Sequence, residues 1–188
     1  MTLPKALILP LFLTLAACGG DKARFLIETP PADAPIRVRV STIELREVVL
    51  PAYAADSQIL AEGPDGGLRP VKGAEWADGS AQAITAQLAR NLDLRSTASV
   101  AAEPWPLTEP ADVRLDVRMD RMVARKDGRF ELSGQYAIVS ASGAVRDSLE
   151  RFEITAPMAD GSPAAIAAAY SATIADLGQR ILRRLARR

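Results

Sequence analysis

Cys18 is the only cysteine in a chain of 188 residues that contains no histidine, and these two facts confine the available chemistry. Without imidazole there is no Ser-His-Asp or Cys-His nucleophile and no His-based zinc site. One thiol alone makes neither a disulfide nor a thiolate metal cage. Catalysis is left with carboxylate pairs or a hydroxyl–lysine pair. The pairs to weigh are Asp116 with Asp120, and Ser57 with Lys72. The aspartates alternate with apolar residues, so solvation of the wet face of a strand accounts for them. Lys22, Lys72 and Lys126, the lysines beyond Lys5, all sit among loop-like residues. The residues point away from an enzyme, and no metal or cofactor is expected.

The setting of Cys18 gives it a different role. Lys5 supplies an early positive charge, Ala6 to Leu15 is apolar apart from Pro10 and Thr14, and Ala16-Ala17 leads into the cysteine. A basic start, short apolar middle and small-residue exit make residues 1–17 a secretory signal peptide. The run is well short of the roughly 20 residues of a spanning helix. Leu15-Ala16-Ala17-Cys18 matches the bacterial lipobox. That motif implies transfer of diacylglycerol to the thiol, then cleavage that leaves Cys18 as an acylated, palmitate-bearing first residue. A thiolate is the nucleophile such a transfer needs. The alternative, a plain signal peptide with an incidental cysteine, leaves an unpaired thiol in an oxidising compartment. Acyl chains anchor with about 0.8 kcal/mol per buried methylene, and several together hold far better than one. Gly19 follows Cys18, and the first aspartate comes only at Asp21. Under the sorting rule of enteric bacteria this implies the outer membrane, with the chain facing the periplasm.

Charge is balanced, 23 basic against 23 acidic residues, which gives no reason to expect a nucleic-acid partner. Residues 18–35, rich in Gly and Pro, are expected to form the lipidated start and a tether, and 36–188 one periplasmic domain. Within the tether, Phe25-Leu26-Ile27 is apolar enough to form a short edge strand on the domain, a reading preferred to free linker.

Periodicity supplies the elements that carry these residues. Ile36, Val38 and Val40 alternate with Arg37, Arg39 and Ser41, which predicts a half-buried strand over 36–45. Val48 to Tyr53 is expected to be extended, Ser57 to Glu62 a strand, and Pro64 to Gly67 a turn into a strand over 68–72. A helix is predicted from about Ser80 to Leu94, capped by Asp78 or Ser80, with Ala81, Ile84, Leu88 and Leu92 on one face. Val113, Leu115, Val117 and Met119 alternate with charged residues until the phase slips at Arg121-Met122, where a bulge is expected. Asp127-Gly128 predicts a hairpin, returning through Phe130, Leu132, Tyr136 and Ile138. A further turn near Ser142-Gly143 leads to a strand through Phe152 and Ile154. Ser162-Pro163 then caps a last helix whose face is Ile166, Tyr170, Ile174, Leu177, Ile181 and Leu185. Its end gathers Arg180, Arg183, Arg184, Arg187 and Arg188; these cations suit the negative end of the helix dipole or, alternatively, anionic lipid headgroups. The expected fold is α+β, a two-layer domain of an antiparallel sheet packed against two helices.

Several separated segments together resemble the ABC-type transport auxiliary lipoproteins, the PqiC-like family. They are the lipobox followed by Phe25-Leu26-Ile27 and Pro30-Pro31, then LPAYAADSQIL over 50–60, and Trp76 before a helix containing QLARNL. Pro104-Trp105 ahead of ADVRLDVRMD, and the closing AAAYSATIADLGQRI, complete the set. One departure is Phe25, where the family usually has tyrosine. The resemblance implies a lipoprotein partner of an MCE-type system. There, an inner-membrane permease and ATPase work with a periplasm-spanning MCE-domain protein that carries lipids or other hydrophobic molecules. It implies docking of that protein at the outer membrane, with a homo-oligomeric ring as one form of the end piece. A competing function for the same kind of domain is to activate or position a cell-wall synthase or an outer-membrane assembly machine.

Trp105, framed by Pro104 and Pro106, and the loop of Pro51 to Asp56 with Tyr53 are the candidate partner contacts, since tryptophan and tyrosine often anchor interfaces. Trp76, beside a helix start, is expected to close the core instead.

Overall fold

The hairpin predicted at Asp127-Gly128 joins the two longest strands, and the rest of the domain is built against them. The computed structural model describes residues 22–31, 34–78 and 80–187. Eight strands and two helices follow in the order β1 (Ala23–Phe25), β2 (Thr42–Leu45), β3 (Gln58–Glu62), β4 (Leu68–Trp76), α1 (Ser80–Leu94), β5 (Ser99–Ala102), β6 (Val113–Ala124), β7 (Arg129–Val139), β8 (Ser148–Pro157) and α2 (Pro163–Ala186). Gly79 and the Ser80 side chain, where the expected cap of α1 falls, lie outside the described residues.

β6, β7 and β8 form the predicted antiparallel meander. The other edge of β6 is shared: β2 pairs in parallel with its start, at Ile43 opposite Val113, and β3 meets its end, at Ala61 opposite Ala124. β5 adds to β2, β4 to β3 and β1 to β4. The fold is thus α+β as expected, with a mixed sheet. Its parallel pairs join segments distant in sequence, which local alternation does not register.

The phase slip of β6 is a bulge at Asp120, between Met119 and Arg121. One extra residue flips the side-chain phase. Odd-numbered Leu115, Val117 and Met119 face the core before it, and even-numbered Met122 and Ala124 after it. Opposite the bulge stands Gly134, where a Cβ would fall 2.1 Å from the Arg118 carbonyl oxygen. Glycine, having no Cβ, lets the two backbones approach here.

α2 forms for local reasons. Ser162 Oγ accepts the Ala165 N–H at 3.2 Å, Pro163 pre-sets the first turn, and alanine-rich turns follow. Its expected face, Ile166 to Leu185, is buried throughout. Tyr170 lies at the centre, stacked on Phe130 of β7 at 4.9 Å and tilted against Trp76 of β4 at 5.3 Å. Trp76 therefore closes the core, as expected. Each such aromatic pair contributes about 0.5–1.5 kcal/mol beyond its area. α1 packs beside α2 with Ile84, Leu88 and Leu92 fully buried and Gln82 and Arg90 exposed, as its periodicity predicts.

Two stretches differ from the alternation pattern. Residues 36–41 are not a strand, although Val38 and Val40 are buried. Their backbone donors go elsewhere: Val38 N–H to Thr97 Oγ1, Arg39 N–H to the Leu185 carbonyl and Ser41 N–H to Asp112. Alternation reports burial on one side; it does not report which partner takes the hydrogen bonds. β5 has no forecast at all, because Ser-Val-Ala-Ala is short and lacks alternation. Its place against β2 gives it its strand form.

Candidate functional site

Three positions were singled out by sequence. Cys18, the expected lipidation site, lies outside the described residues. Tyr53 lies in a 3-10 turn, Ala52–Ala54, that carries the chain from the edge of β6 into β3. Its hydroxyl accepts the Met122 N–H at 3.0 Å, just past the bulge, while 37% of the residue stays exposed. The tyrosine is thus both a latch on β6 and an accessible ring. Trp105 lies in the loop between β5 and β6, half-buried, its indole N–H donating to the Glu109 carbonyl at 2.8 Å. Nearby Leu107 is 58% exposed. The structure does not bring the two aromatics together. Tyr53 is bonded to the far half of β6, and the Trp105 loop leads into its beginning.

The weighed catalytic pairs are separated as well. Ser57 bonds with neighbouring Asp56, and among the described residues no hydrogen bond or salt bridge links it to Lys72. Asp116 pairs with Arg114 at 3.2 Å on the solvent face, and Asp120 occupies the exposed bulge. Among the described residues no group of His, Cys, Asp and Glu is arranged to hold a metal ion.

The tether has a geometry of its own. β1 pairs with β4 at the sheet edge and Lys22 bonds to Glu75 at 2.5 Å, so the edge strand falls on Ala23–Phe25, two residues ahead of the expected Phe25-Leu26-Ile27; beyond it Ile27 is buried and Leu26 exposed. The chain then runs as a strap over both helices. Glu28 N–H bonds to Ser171 Oγ of α2, Thr29 Oγ1 to Gln87 Oε1 of α1, and the Arg95 guanidinium to the carbonyls of Pro30 and Pro31. Ile36 N–H reaches the Arg95 carbonyl, and Arg39 N–H the Leu185 carbonyl at the end of α2. The folded body therefore reaches back to Ala23, ahead of the boundary at 36 expected from composition. Prolines signalled a stiff segment; the partners that hold it down are distant in sequence.

The strap gives the domain two distinct ends. At the first lie β1, the β6–β7 turn and the start of α2: Arg24 and Phe25 line a groove with Ala164 of α2, Met158 N–H bonds to the Gly128 carbonyl, and Lys126 bonds to Glu62 and to the Pro64 carbonyl beside the β3–β4 turn. At the second lie residues 37–41, the start of β6 and the end of α2. A helix of 24 residues, at 1.5 Å rise each, sets these ends about 36 Å apart. The arginines foreseen near the end of α2 are only partly neutralised. Arg180 pairs with Asp176 at 3.0 Å and Arg184 with Glu150 at 2.6 Å. Arg183 bonds to Gln179, and Arg188 lies outside the described residues.

Packing space is small inside and open outside. Cavities beside Trp76 measure about 20 and 10 Å³, lined by Tyr53, Met122 and Phe130 in one case and by Phe25, Ile27 and Gln87 in the other. A larger groove of about 550 Å³ separates Phe25, Leu26 and Pro30 from Ala164 and Ala168 of α2. No described helix is long and apolar enough to cross a membrane.

Comparison with known proteins places this α+β domain in the class of membrane-anchored envelope lipoproteins, and gives the family. The model of the ABC-type transport auxiliary lipoprotein component matches residues 25–182. The chain belongs to that family. No curated protein matches the sequence. Among solved structures, an uncharacterised protein superposes with a TM-score of 0.66 at 17% identity, covering 83% of this chain and 98% of its own. A protein of the DUF330 family from Xanthomonas campestris superposes at 0.70 with 15% identity, covering 85% of this chain and 92% of its own. At these identities the likeness is one of fold.

Proposed function

We propose that this chain is the lipid-anchored end piece of an ABC transport system that moves lipids or other hydrophobic molecules through an MCE-domain protein. In this reading it docks that protein at the outer membrane from the periplasmic side. The family match over 25–182 carries the proposal, since it makes the chain an auxiliary component of an ABC transporter. The lipobox at Cys18 supports the anchor. Ala23 is five residue steps from Cys18, a reach of at most about 18 Å, so an acylated Cys18 would hold the first end of the domain against the bilayer. The interior cavities beside Trp76 are far below the ≈ 300–1,000 Å³ of a ligand pocket, and the 550 Å³ groove beside Phe25 lies open at the surface, which favours a docking role over enclosed carriage of the lipid by the domain.

Mass spectrometry of the natural protein tests the anchor, with a triacylated N-terminal Cys18 peptide expected. Crosslinking in intact cells tests the partner, with capture of an MCE-domain protein expected. A bare thiol, or capture of a peptidoglycan synthase in place of an MCE-domain protein, overturns the reading.

A further inference from the structure

The second end of the domain carries an open groove of about 1050 Å³ between the strap and the last turn of α2, lined by Arg37, Arg39, Ser41, Thr97 and Ala186. We propose that this groove docks an acidic polypeptide segment of a periplasmic partner.

Arg37 and Arg39 are two apart on the strap, and both are exposed. Neither forms a salt bridge among the described residues. The carboxylates nearby are already committed. Asp112 accepts the Ser41 and Thr42 N–H groups at 2.8 and 3.1 Å, Asp147 accepts that of Ser140, and Glu150 holds Arg184. The helix dipole accounts for Arg183 and Arg184 in the last turn of α2. It does not account for Arg37, which belongs to the strap and, among the described residues, caps no carbonyl. Arg39 spends one donor, Nη1, on the Arg187 carbonyl at 3.5 Å, which holds its guanidinium beside the groove; among the described residues its other donors have no side-chain partner. Two guanidinium forks flanking the hydroxyls of Ser41 and Thr97 match carboxylates, which they bind bidentately.

The position of the groove selects the occupant. It lies at the end of α2 away from the start of β1, about 36 Å along the helix. Screening at physiological ionic strength acts over about 8 Å, so headgroups of a bilayer held at the first end are not felt here. This orientation rests on acylation of Cys18 as proposed above; the binding itself does not.

The test uses the full-length protein in nonionic detergent and a fluorescein-labelled octaglutamate peptide, read by fluorescence anisotropy at low ionic strength. Wild type is expected to bind octaglutamate in preference to octalysine, and the R37E/R39E variant to bind it at least about tenfold more weakly. The milder R37Q/R39Q variant is expected to lie between them. R90E on α1 and R151E on β8 are expected to stay within about twofold of wild type, since the groove is the attractor and net charge is not. Equal loss in all charge-reversal variants overturns the proposal. So does an unchanged R37E/R39E, or loss only of its binding to phosphatidylglycerol vesicles, which assigns the groove to headgroups. A bare Cys18 would sink the anchor while leaving this peptide binding intact.

Discussion

Gly178 of α2 lies directly against Asn91 of α1: a Cβ on the glycine would fall 2.4 Å from Asn91 Oδ1. Asn91 is 1% exposed and its Oδ1 has no hydrogen-bond partner among the described residues. The two helices therefore approach through a small residue and a buried amide. Gly178→Ala is expected to destabilise by about 1–3 kcal/mol through overpacking, although alanine is the better helix former. Combining it with Asn91→Ala should recover part of the loss, because the second change removes the obstructing atoms. Urea denaturation of the four proteins as a double-mutant cycle measures this coupling. Strict additivity would mean that the contact does not limit helix approach.

Gly134→Ala should be the more damaging glycine change. Its Cβ would meet the Arg118 carbonyl at 2.1 Å, and backbone at a bulge has less room to move than the tip of a side chain. A loss of about 3 kcal/mol is expected, at the upper end of overpacking effects. Gly161→Ala, with nothing within 4 Å of its Cβ, serves as the control and should stay within about 0.5 kcal/mol. Comparable urea midpoints for the two variants would contradict the bulge geometry.

Alkaline pH should destabilise the domain through two tyrosines. Burial pushes the Tyr136 phenol above its ordinary range, aided by its hydrogen bond to Glu150, and complete burial does the same to Tyr170. In both, the folded state favours the neutral form more than the unfolded chain does. The contribution is therefore present below the unfolded value near 10 and is lost as pH rises above it. Tyr170 Oη has no hydrogen-bond partner among the described residues, so Tyr170→Phe should be neutral or stabilising at pH 7 and should weaken the alkaline decline. Thermal melts across the alkaline range test both. An alkaline decline as steep in Tyr170→Phe as in wild type would remove Tyr170 from this account.

Tyr53 and Trp105 separate by how they are held. Tyr53→Phe leaves the half-buried Met122 N–H without its acceptor and should cost about 1 kcal/mol. Trp105→Ala, in an exposed loop bonded only to Glu109, should cost less than Trp76→Ala, for which about 3–5 kcal/mol is expected. If Trp105 meets the partner, its alanine variant should lower crosslinking yield in cells without a matching fall in melting temperature. A yield unchanged by Trp105→Ala would leave Tyr53 as the aromatic to test.

Acid conditions should loosen the β3–β4 turn first. The Arg69 guanidinium bonds to Asp65 and holds its carboxyl at about 2, well below the ordinary value of 3.8. A depressed value means that the contribution is present above the unfolded pKa and is lost as pH falls toward 2. Both groups are exposed, so the effect is local: hydrogen exchange at Gly66 and Gly67 should quicken on acidification, and Asp65→Asn should remove that dependence. Exchange there that is independent of pH, after correction for intrinsic chemistry, would dismiss the pair.

The sequence by itself determined whatever is written in neighbouring residues. Both helices, the start of α2 at Ser162-Pro163 and the meander around Asp127-Gly128 follow from periodicity, capping and turn chemistry, which act over a few positions. The phase slip in β6 was legible for the same reason, to within a residue or two. Resemblance of ordered fragments likewise pointed to the family. Only the tertiary structure decided that residues 28–31 strap both helices, that β2 begins only at Thr42 and that β5 exists. It also decided that Gly178 faces Asn91, and that Arg37 and Arg39 stand at the end of α2. Those outcomes join groups far apart along the chain, such as Arg39 with Leu185. The free energy of such contacts comes from packing and hydrogen bonding across the fold, which leaves no local pattern in the sequence to read.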